Sequence, residues 1–201
     1  FLASADGWFR PVQARTGPDG SLWVVDMYRY IIEHPRWIPE EDAAQVDLRA
    51  GQTMGRIYRV FPRENPPRPI EQLDELDAAG LVQALDSPNG PQRDLASQLL
   101  SGKVDRSVVP QLLELAESSP RPEARLHVLA ALEGFDAVSG ELLSALLADD
   151  HPGVRRQAVR IAGEMLDESP ELLPVMLDML GDDDAKVRVQ LAASLGETDD
   201  P

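Results

Sequence analysis

The chain has 201 residues, of which 43% are hydrophobic, with no cysteine and a formal net charge of −16 at pH 7. The absence of cysteine excludes disulfides, thiolate chemistry and cysteine-ligated metals within this sequence. The acidic balance argues against a nucleic-acid partner, because phosphate binding needs a basic surface. No apolar run approaches the length of a transmembrane helix, so we predict no membrane segment.

Charged and aromatic residues divide the chain into two parts. Residues 1–69 hold nine arginines and nine acidic residues, whereas residues 70–201 hold ten basic and 26 acidic residues. Every Trp and Tyr lies before residue 62. We therefore expect an aromatic core first and an aliphatic core second. The acidity of the second part indicates a solvated surface that aids solubility, in preference to an acidic docking face.

The first part has the pattern of three β-strands. Residues 10–16 and 21–26 are rich in strand-forming residues and flank the tight turn at residues 17–20, Gly-Pro-Asp-Gly. A third run, residues 55–61, follows a long insertion over residues 27–54. Three antiparallel strands of this kind make most of one blade of a β-propeller.

This pattern predicts an incomplete C-terminal propeller blade at residues 1–61, followed by a proline-rich linker at residues 62–72. A single incomplete blade is a marginal structure in water. We therefore expect the chain to be a piece of a longer protein, with the other blades upstream.

A cluster of candidate site residues lies where the first strand begins and the second ends, which is one edge of an antiparallel sheet. Arg10, Tyr28 and Arg29 are candidates for binding an anionic substrate or cofactor. Asp26 and His34 are candidates for an oriented acid–base pair. Alternatively, Asp26 and Arg29 fix the loop at the strand end, and His34 caps or packs the insertion. No metal-ligand set is predicted.

The second part repeats a unit of helix, tight turn and helix. Arg93, Arg125, Arg155 and Arg188 stand at equivalent places in four units, 32, 30 and 33 residues apart. Each unit has a leucine-rich run before the turn and small residues after it. One hairpin cannot bury its apolar face alone, but neighbours in a stack can. We predict about eight helices in four antiparallel pairs over residues 73–197, within a repeat region that covers residues 73–201.

The recurring arginine has two possible roles. It could form a basic ladder that binds a partner, or it could bind an Asp or a carbonyl of an adjacent turn and lock one hairpin to the next. The structural role is favoured, because each arginine stands beside its turn and acidic residues dominate the neighbourhood.

The repeats resemble the HEAT family, whose turn has the pattern Asp-x-x-x-Val-Arg followed by alanines. The stretches at residues 150–155 and 183–188 match it well, whereas Gln92 and Ala124 replace the valine in the first two units. The resemblance covers residues 73–197. It implies a mostly α fold, a HEAT-repeat α-solenoid preceded by a partial β-propeller blade, and a surface that could bind a protein partner.

The first part resembles a second family, on the stretches Trp8-Phe9-Arg10-Pro11-Val12, residues 17–29, residues 32–35, residues 37–39 and residues 55–60. These are similar to the end of the propeller in planctomycete-type membrane-bound dehydrogenases, whose propellers resemble quinoprotein glucose and sorbosone dehydrogenases. In that family HEAT repeats follow the propeller, and a c-type cytochrome domain commonly follows them. The resemblance implies a periplasmic or envelope-associated parent protein.

Two functions from different classes are compatible with these patterns. The first is a fragment of a sugar or alcohol dehydrogenase that passes electrons to a c-type heme domain outside this chain, with the HEAT part as a scaffold or docking surface. Its partners would be the rest of the propeller and the cytochrome domain, and its cofactors pyrroloquinoline quinone with calcium and heme c, none of them within this chain. We expect the fragment alone to be inactive. The second is a non-catalytic carbohydrate- or protein-binding module.

Overall fold

The structure is a computed structural model that describes residues 2–103 and 105–196. The chain divides into two compact units, residues 1–71 and residues 72–201. The last residues of the predicted repeat region, 197–201, lie outside the described residues.

The first unit is built on a three-stranded antiparallel sheet in the order β1-β2-β3. The strands are β1 (Pro11–Thr16), β2 (Leu22–Asp26) and β3 (Arg56–Val60). A bulge at the start of β1 shifts the register between Pro11 and Gln13, and β2 pairs with β3 from Leu22 opposite Val60 to Asp26 opposite Arg56. The three predicted strands are confirmed, whereas their membership of a propeller blade stays a prediction.

The turn between β1 and β2 is held by the buried carboxylate of Asp19. Its Oδ1 accepts hydrogen bonds from the Ser21 N–H at 3.0 Å, the Ser21 hydroxyl at 2.7 Å and the Trp23 indole N–H at 3.1 Å. Its Oδ2 accepts a hydrogen bond from the Arg59 guanidinium on β3. One carboxylate therefore joins the turn, β2 and β3.

Residues after β3 return to the same turn, since the Arg68 N–H donates to the Asp19 carbonyl oxygen at 3.1 Å. The insertion between β2 and β3 contains a 3₁₀ turn (Pro35–Trp37) and one short helix, α1 (Glu40–Ala43). The predicted linker at residues 62–72 thus begins with a segment that is bonded to the first unit.

The second unit contains eight α-helices within its described residues, which confirms the predicted number. They are α2 (Ala78–Ala84), α3 (Gly90–Gly102), α4 (Val109–Ser118), α5 (Pro122–Gly134), α6 (Gly140–Leu147), α7 (Pro152–Glu164), α8 (Leu172–Asp178) and α9 (Ala185–Gly196). The four hairpins, from the first to the fourth, are α2–α3, α4–α5, α6–α7 and α8–α9. Pro at the start of α3, α4, α5 and α7 suits these ends, because its N–H is not needed there.

The hairpins stack in one direction around a single aliphatic core. The second helices pack in series, α3 on α5, α5 on α7 and α7 on α9, and α6 packs on α8 among the first helices. Leu, Ala and Val dominate the buried residues, and Phe135 is the single aromatic side chain among them. Burial of these apolar faces between neighbours stabilises hairpins that could not fold alone.

Helices α7 and α9 approach closely at Gly163, which leads to a first prediction. A Cβ at this position would lie 2.6 Å from the Ser194 Cβ, whereas a Cβ at Gly134, near the end of α5, would meet no atom within 4 Å. We expect Gly163→Ala to lower the free energy of unfolding by about 1–2 kcal/mol, because α9 must shift.

Gly134→Ala is the matched control, and it should be neutral or stabilising by up to about 1 kcal/mol through helix propensity. Urea unfolding followed by far-UV circular dichroism measures both effects. Equal midpoints for the two variants would show that α7 and α9 are not in close contact at this place.

Candidate functional site

Asp26, at the end of β2, binds the backbone N–H groups of two other predicted site residues. Its Oδ1 accepts hydrogen bonds from the Arg10 N–H at 2.8 Å and the Tyr28 N–H at 2.9 Å. Its buried Oδ2 has no hydrogen-bond partner among the described residues, and the Arg56 Nε lies 3.9 Å away. The carboxylate thus fixes the start of β1 and the chain after β2, while one of its oxygens is left without a donor.

Tyr28 lies next to this carboxylate in a strained backbone conformation, with φ of 49°. Its hydroxyl donates to the Asp6 Oδ2 at 2.7 Å. The Trp8 N–H and then the Tyr28 hydroxyl lower the pKa of Asp6, and in return the Asp6 carboxylate raises the pKa of Tyr28. The Arg56 guanidinium carbon lies 3.6 Å from the centre of the Tyr28 ring, within the range of a cation–π contact.

The other three candidates bind backbone groups in their own surroundings. The Arg10 side chain donates to the Gly7 and Phe9 carbonyl oxygens, and the Arg29 side chain donates to the Arg49 carbonyl oxygen at 3.1 Å. The exposed His34 caps the 3₁₀ turn, accepting a hydrogen bond from the Arg36 N–H at Nδ1, at 3.2 Å. The bonds of Arg29 and His34 are of the kind expected if Arg29 fixes the loop at the strand end and His34 caps the insertion.

Asp26 and His34 form no hydrogen bond or ion pair with each other in the described part of the chain. Their role as an acid–base pair therefore stays a prediction. The arginine that faces Asp26 is Arg56, which was not among the predicted site residues. The antiparallel register of β2 and β3, which places Arg56 opposite Asp26, is the signal that could have identified it.

An open cleft of about 490 Å³ lies beside this end of the sheet. Apolar residues line it together with Asp26 and two arginines. Its lining consists of Val12, Val25, Asp26, Met27, Arg29, Gln52, Gly55, Arg56 and Ile57. Such a mixture can hold a ligand that has both an apolar face and polar groups.

Gly51, in the insertion, lies very close to the Tyr28 backbone, and it leads to a second prediction. It has φ of +86°, and a Cβ there would lie 2.2 Å from the Tyr28 carbonyl oxygen. We expect Gly51→Ala to destabilise the first unit by about 2 kcal/mol or more, because both the backbone conformation and the close approach exclude a side chain.

The three tryptophans, at positions 8, 23 and 37, all lie in the first unit. Tryptophan fluorescence during urea unfolding therefore reports that unit alone. Gly7→Ala is the control, because a Cβ at Gly7 meets no atom within 4 Å. Unchanged unfolding of Gly51→Ala would mean that the insertion does not contact Tyr28.

The four recurring arginines make the same bond in each hairpin. Each guanidinium donates through Nη1 to the carbonyl oxygen six residues earlier, in the turn before its own helix. The acceptors are Ser87 at 2.7 Å for Arg93, Ser119 at 2.7 Å for Arg125, Asp149 at 2.8 Å for Arg155, and Asp182 for Arg188. The predicted equivalence of these arginines is confirmed.

Two of the arginines also bind the turn of the following hairpin through paired hydrogen bonds. Arg125 donates to both carboxylate oxygens of Asp149, at 2.8 and 2.7 Å, and Arg155 donates to both oxygens of Asp182, at 2.8 and 2.9 Å. The bond from Arg155 lowers the pKa of Asp182, and the bond to Asp182 raises the pKa of Arg155. We call these pairs the inter-hairpin clasps. They confirm the predicted structural role.

At the interface between the first and second hairpins the carboxylate belongs to the earlier hairpin and the donors to the later one, the reverse of the inter-hairpin clasps. Asp86, in the first hairpin, accepts from the Ser119 hydroxyl at 2.6 Å and from the Arg121 guanidinium at 3.0 Å. The second hairpin has Ser119 where the later ones have Asp149 and Asp182. The buried Arg93 Nε accordingly has no hydrogen-bond partner among the described residues.

The dehydrogenase resemblance implies calcium and heme c in a parent protein, outside this chain. The described residues contain no group of three or more His, Cys, Asp or Glu side chains that could hold a metal ion such as calcium. Covalent attachment of a c-type heme needs cysteines, and the sequence has none.

Within the described residues, none of the helices combines the length and the apolar character needed to cross a membrane.

Comparisons with known protein families match both ends of the chain. A domain of unknown function (DUF7133) matches residues 1–64, and HEAT repeats match residues 139–201. No curated protein and no solved structure matches the chain significantly. The HEAT match agrees with the clasped hairpins, so the chain has a helical repeat fold with a small three-stranded sheet before it. The family that matches residues 1–64 is described without an activity, so the dehydrogenase resemblance stays a prediction.

Proposed function

We propose that this chain is a protein-binding module whose helical unit acts as a preformed scaffold for docking. The observation that carries the proposal is the pair of inter-hairpin clasps, Arg125 with Asp149 and Arg155 with Asp182. Each clasp joins a helix of one hairpin to the turn of the next through two charge-assisted hydrogen bonds. The stack therefore keeps its shape before any partner arrives.

A fixed shape favours binding, because less conformational freedom is lost when the complex forms. Stacked helical repeats also present long continuous surfaces, which suit contact with another macromolecule. Arg125 and Arg155 are engaged within the stack by their clasps and are not free to form part of a basic ladder. Recognition would instead involve the exposed outer surfaces of the helices.

The contacts in the first unit support binding more than catalysis. The predicted site residues hydrogen-bond to backbone groups close to them, as Asp26 does with the N–H groups of Arg10 and Tyr28. Such bonds give the cleft a fixed form. A general acid and base would instead have to be oriented toward each other and toward a substrate.

Affinity capture with the full chain as bait, quantified by mass spectrometry, tests this proposal. Three baits are compared: the wild type and two variants. Asp182→Asn opens a clasp, whereas Asp183→Asn removes the same charge from an exposed neighbouring residue. We expect to find a partner protein that binds to the wild-type and Asp183→Asn baits and does not bind to the Asp182→Asn bait. The same pattern of binding should then be reproduced with purified proteins. The proposal fails if no protein distinguishes the Asp182→Asn bait from the other two.

The second candidate is an oxidoreductase in the cell envelope, in which the cleft forms part of a larger substrate channel. The observation that favours it is the buried Asp26 Oδ2, which has no hydrogen-bond donor among the described residues. This oxygen could accept a hydrogen bond from a ligand hydroxyl. The test is dye reduction by a full-length protein supplied with pyrroloquinoline quinone and calcium, across sugars and alcohols. Arg10→Ala and His34→Ala should then lower the rate without unfolding the protein. Absence of turnover in the folded full-length protein excludes this candidate.

A further inference from the structure

We infer that a pocket between the second and third hairpins binds an arginine side chain of a partner protein. This inference rests on the proposed function, that the helical unit binds a protein, and it names the group that the unit recognises. The pocket is open to solvent and has a volume of about 370 Å³. We call it the α4–α6 pocket. Its lining includes Ala116 and Glu117 at the end of α4, Leu142, Ala145 and Leu146 on α6, and the turn residues 148–150.

The pocket lies where the second hairpin has a glutamate in place of a leucine. Eight residues before the recurring arginine, the first and third hairpins have Leu85 and Leu147, which are buried, and the fourth has Leu180. The second hairpin has Glu117 at this position, and this residue is exposed. Because burial of an unpaired carboxylate is costly, Glu117 cannot reproduce the packing of the buried leucines. The carboxylate at this place is thus a feature of the second hairpin and does not follow from the repeat pattern.

Two carboxylates at the α4–α6 pocket have no cation of their own. Glu117 and Asp150 form no ion pair and no side-chain hydrogen bond within the part of the chain that the structure describes. The other two charged groups of the lining, Arg125 and Asp149, bind each other in a clasp and compensate each other's charge. Two uncompensated negative charges therefore remain beside the pocket.

This pair of carboxylates occurs at one of the three interfaces between hairpins. The first interface has Leu85 and Pro120 at the equivalent places. The third interface has Leu147 and Asp183 there. The interface between the second and third hairpins is thus the one whose sequence places a carboxylate on each side.

The chemistry of the pocket identifies the occupant. Alanine and leucine side chains of the lining can pack against the aliphatic stem of an arginine, while its guanidinium binds the carboxylates. A lysine fits less well, since its ammonium group is more strongly hydrated and loses more on entering a partly apolar pocket. A metal ion lacks ligands, because the described residues contain no group of three or more His, Cys, Asp or Glu side chains that could hold one. Arginine therefore suits both the apolar lining and the two negative charges.

Disulfide exchange measures this preference directly, because the chain has no cysteine of its own. Ala145, which is exposed and lines the pocket, is replaced by cysteine in the full chain. The Ala145→Cys chain is equilibrated with a guanidinium thiol and its uncharged urea isostere, and mass spectrometry quantifies the two mixed disulfides. We expect the guanidinium thiol to be favoured about tenfold over the isostere, and an ammonium thiol of the same length to be favoured less.

Removal of either carboxylate tests which groups hold the cation. Glu117→Gln and Asp150→Asn, each in the Ala145→Cys chain, should reduce the preference about threefold. Glu141→Gln, at the opposite end of α6, and Asp183→Asn, at the place equivalent to Asp150, are the controls. They remove the same charge from the chain and should leave the preference unchanged, which accounts for the general attraction of an acidic protein for cations.

All four of these carboxylates belong to exposed residues, so the variants should keep a urea midpoint close to that of the parent chain. A guanidinium preference that is absent, or that survives both Glu117→Gln and Asp150→Asn, overturns the inference. A stronger preference for the ammonium thiol overturns the choice of arginine.

Affinity capture separates failure of this inference from failure of the proposed function. We expect the partner that binds the wild-type bait to bind the Glu141→Gln bait equally and the Glu117→Gln bait about threefold less. A partner that the Asp182→Asn bait loses and the Glu117→Gln bait retains in full leaves the proposed function standing and overturns the pocket as its site. If none of the baits captures a partner, the proposed function fails and this inference fails with it.

Discussion

Asp19→Ala unfolds the first unit and leaves the helical unit folded. The carboxylate of Asp19 has no exposed surface and satisfies donors on Ser21, Trp23 and Arg59. Its removal leaves these donors without an acceptor, at a cost of about 3 kcal/mol or more. A small three-stranded sheet has little stability to lose. Tryptophan fluorescence should report the unfolded environment without denaturant, while far-UV circular dichroism retains the helical signal.

The control for this prediction is Asp42→Ala, which removes an exposed carboxylate from the first turn of α1. It should leave the tryptophan fluorescence and its urea midpoint close to those of the wild type. Native fluorescence in Asp19→Ala would mean that the turn does not depend on this carboxylate.

The same carboxylate makes the first unit sensitive to acid. Burial alone would raise the pKa of Asp19, but hydrogen bonds from Ser21 and the Arg59 guanidinium hold the pKa at about 2, below its usual 3.8. A pKa lowered by folding contributes stability that is present above the unfolded pKa and is lost as the pH falls through the folded pKa. The loss should occur between pH 3.8 and about 2, and Asp19→Asn should lack it.

Asp182→Asn weakens the helical unit by about 2 kcal/mol. The Arg155 and Asp182 side chains are largely buried, with 17% and 8% of their surfaces exposed. Removing one charge leaves the Arg155 guanidinium without its carboxylate at the interface between the third and fourth hairpins. Urea unfolding followed by far-UV circular dichroism measures the change, and Asp183→Asn is the control at an exposed neighbouring carboxylate.

A double-mutant cycle with Arg155→Gln separates the clasp from other effects of either substitution. We expect a coupling free energy of about 1–3 kcal/mol, because the two groups bind each other directly. Arg155→Lys should restore little of it, since an ammonium group cannot reproduce the paired geometry of a guanidinium. Additive effects of the two substitutions would show that the clasp contributes no stability.

The helical unit was the more predictable part of the fold. The spacing of Arg93, Arg125, Arg155 and Arg188 predicted four hairpins, and the eight described helices agree with it. The turn at residues 17–20 and the strands around it were also identified, since Gly, Pro and Asp have strong local preferences. The turn signal lies within a few residues along the chain, whereas the hairpins were identified from a pattern that repeats every 30 to 33 residues.

The candidate site was only partly predictable. The sequence placed Arg10, Asp26 and Tyr28 at one edge of the sheet, and Asp26 does bond to the N–H groups of the other two. It did not identify Arg56 as the arginine against Asp26 and over the Tyr28 ring. That contact depends on the register of β3 after a long insertion, which no local pattern specifies.

By itself, therefore, the sequence determined the kinds of elements, their order and the equivalence of the four arginines, because periodicity, capping and turn chemistry are local properties. Tertiary structure alone decided which carboxylate each arginine binds. Arg125 and Arg155 reach aspartates 24 and 27 residues ahead, whereas the equivalent position ahead of Arg93 is Ser119, and the Arg93 Nε has no hydrogen-bond partner in the part of the chain that the structure describes. The choice depends on how each hairpin packs on the next, since a guanidinium and a carboxylate bond only where packing brings them within about 3 Å.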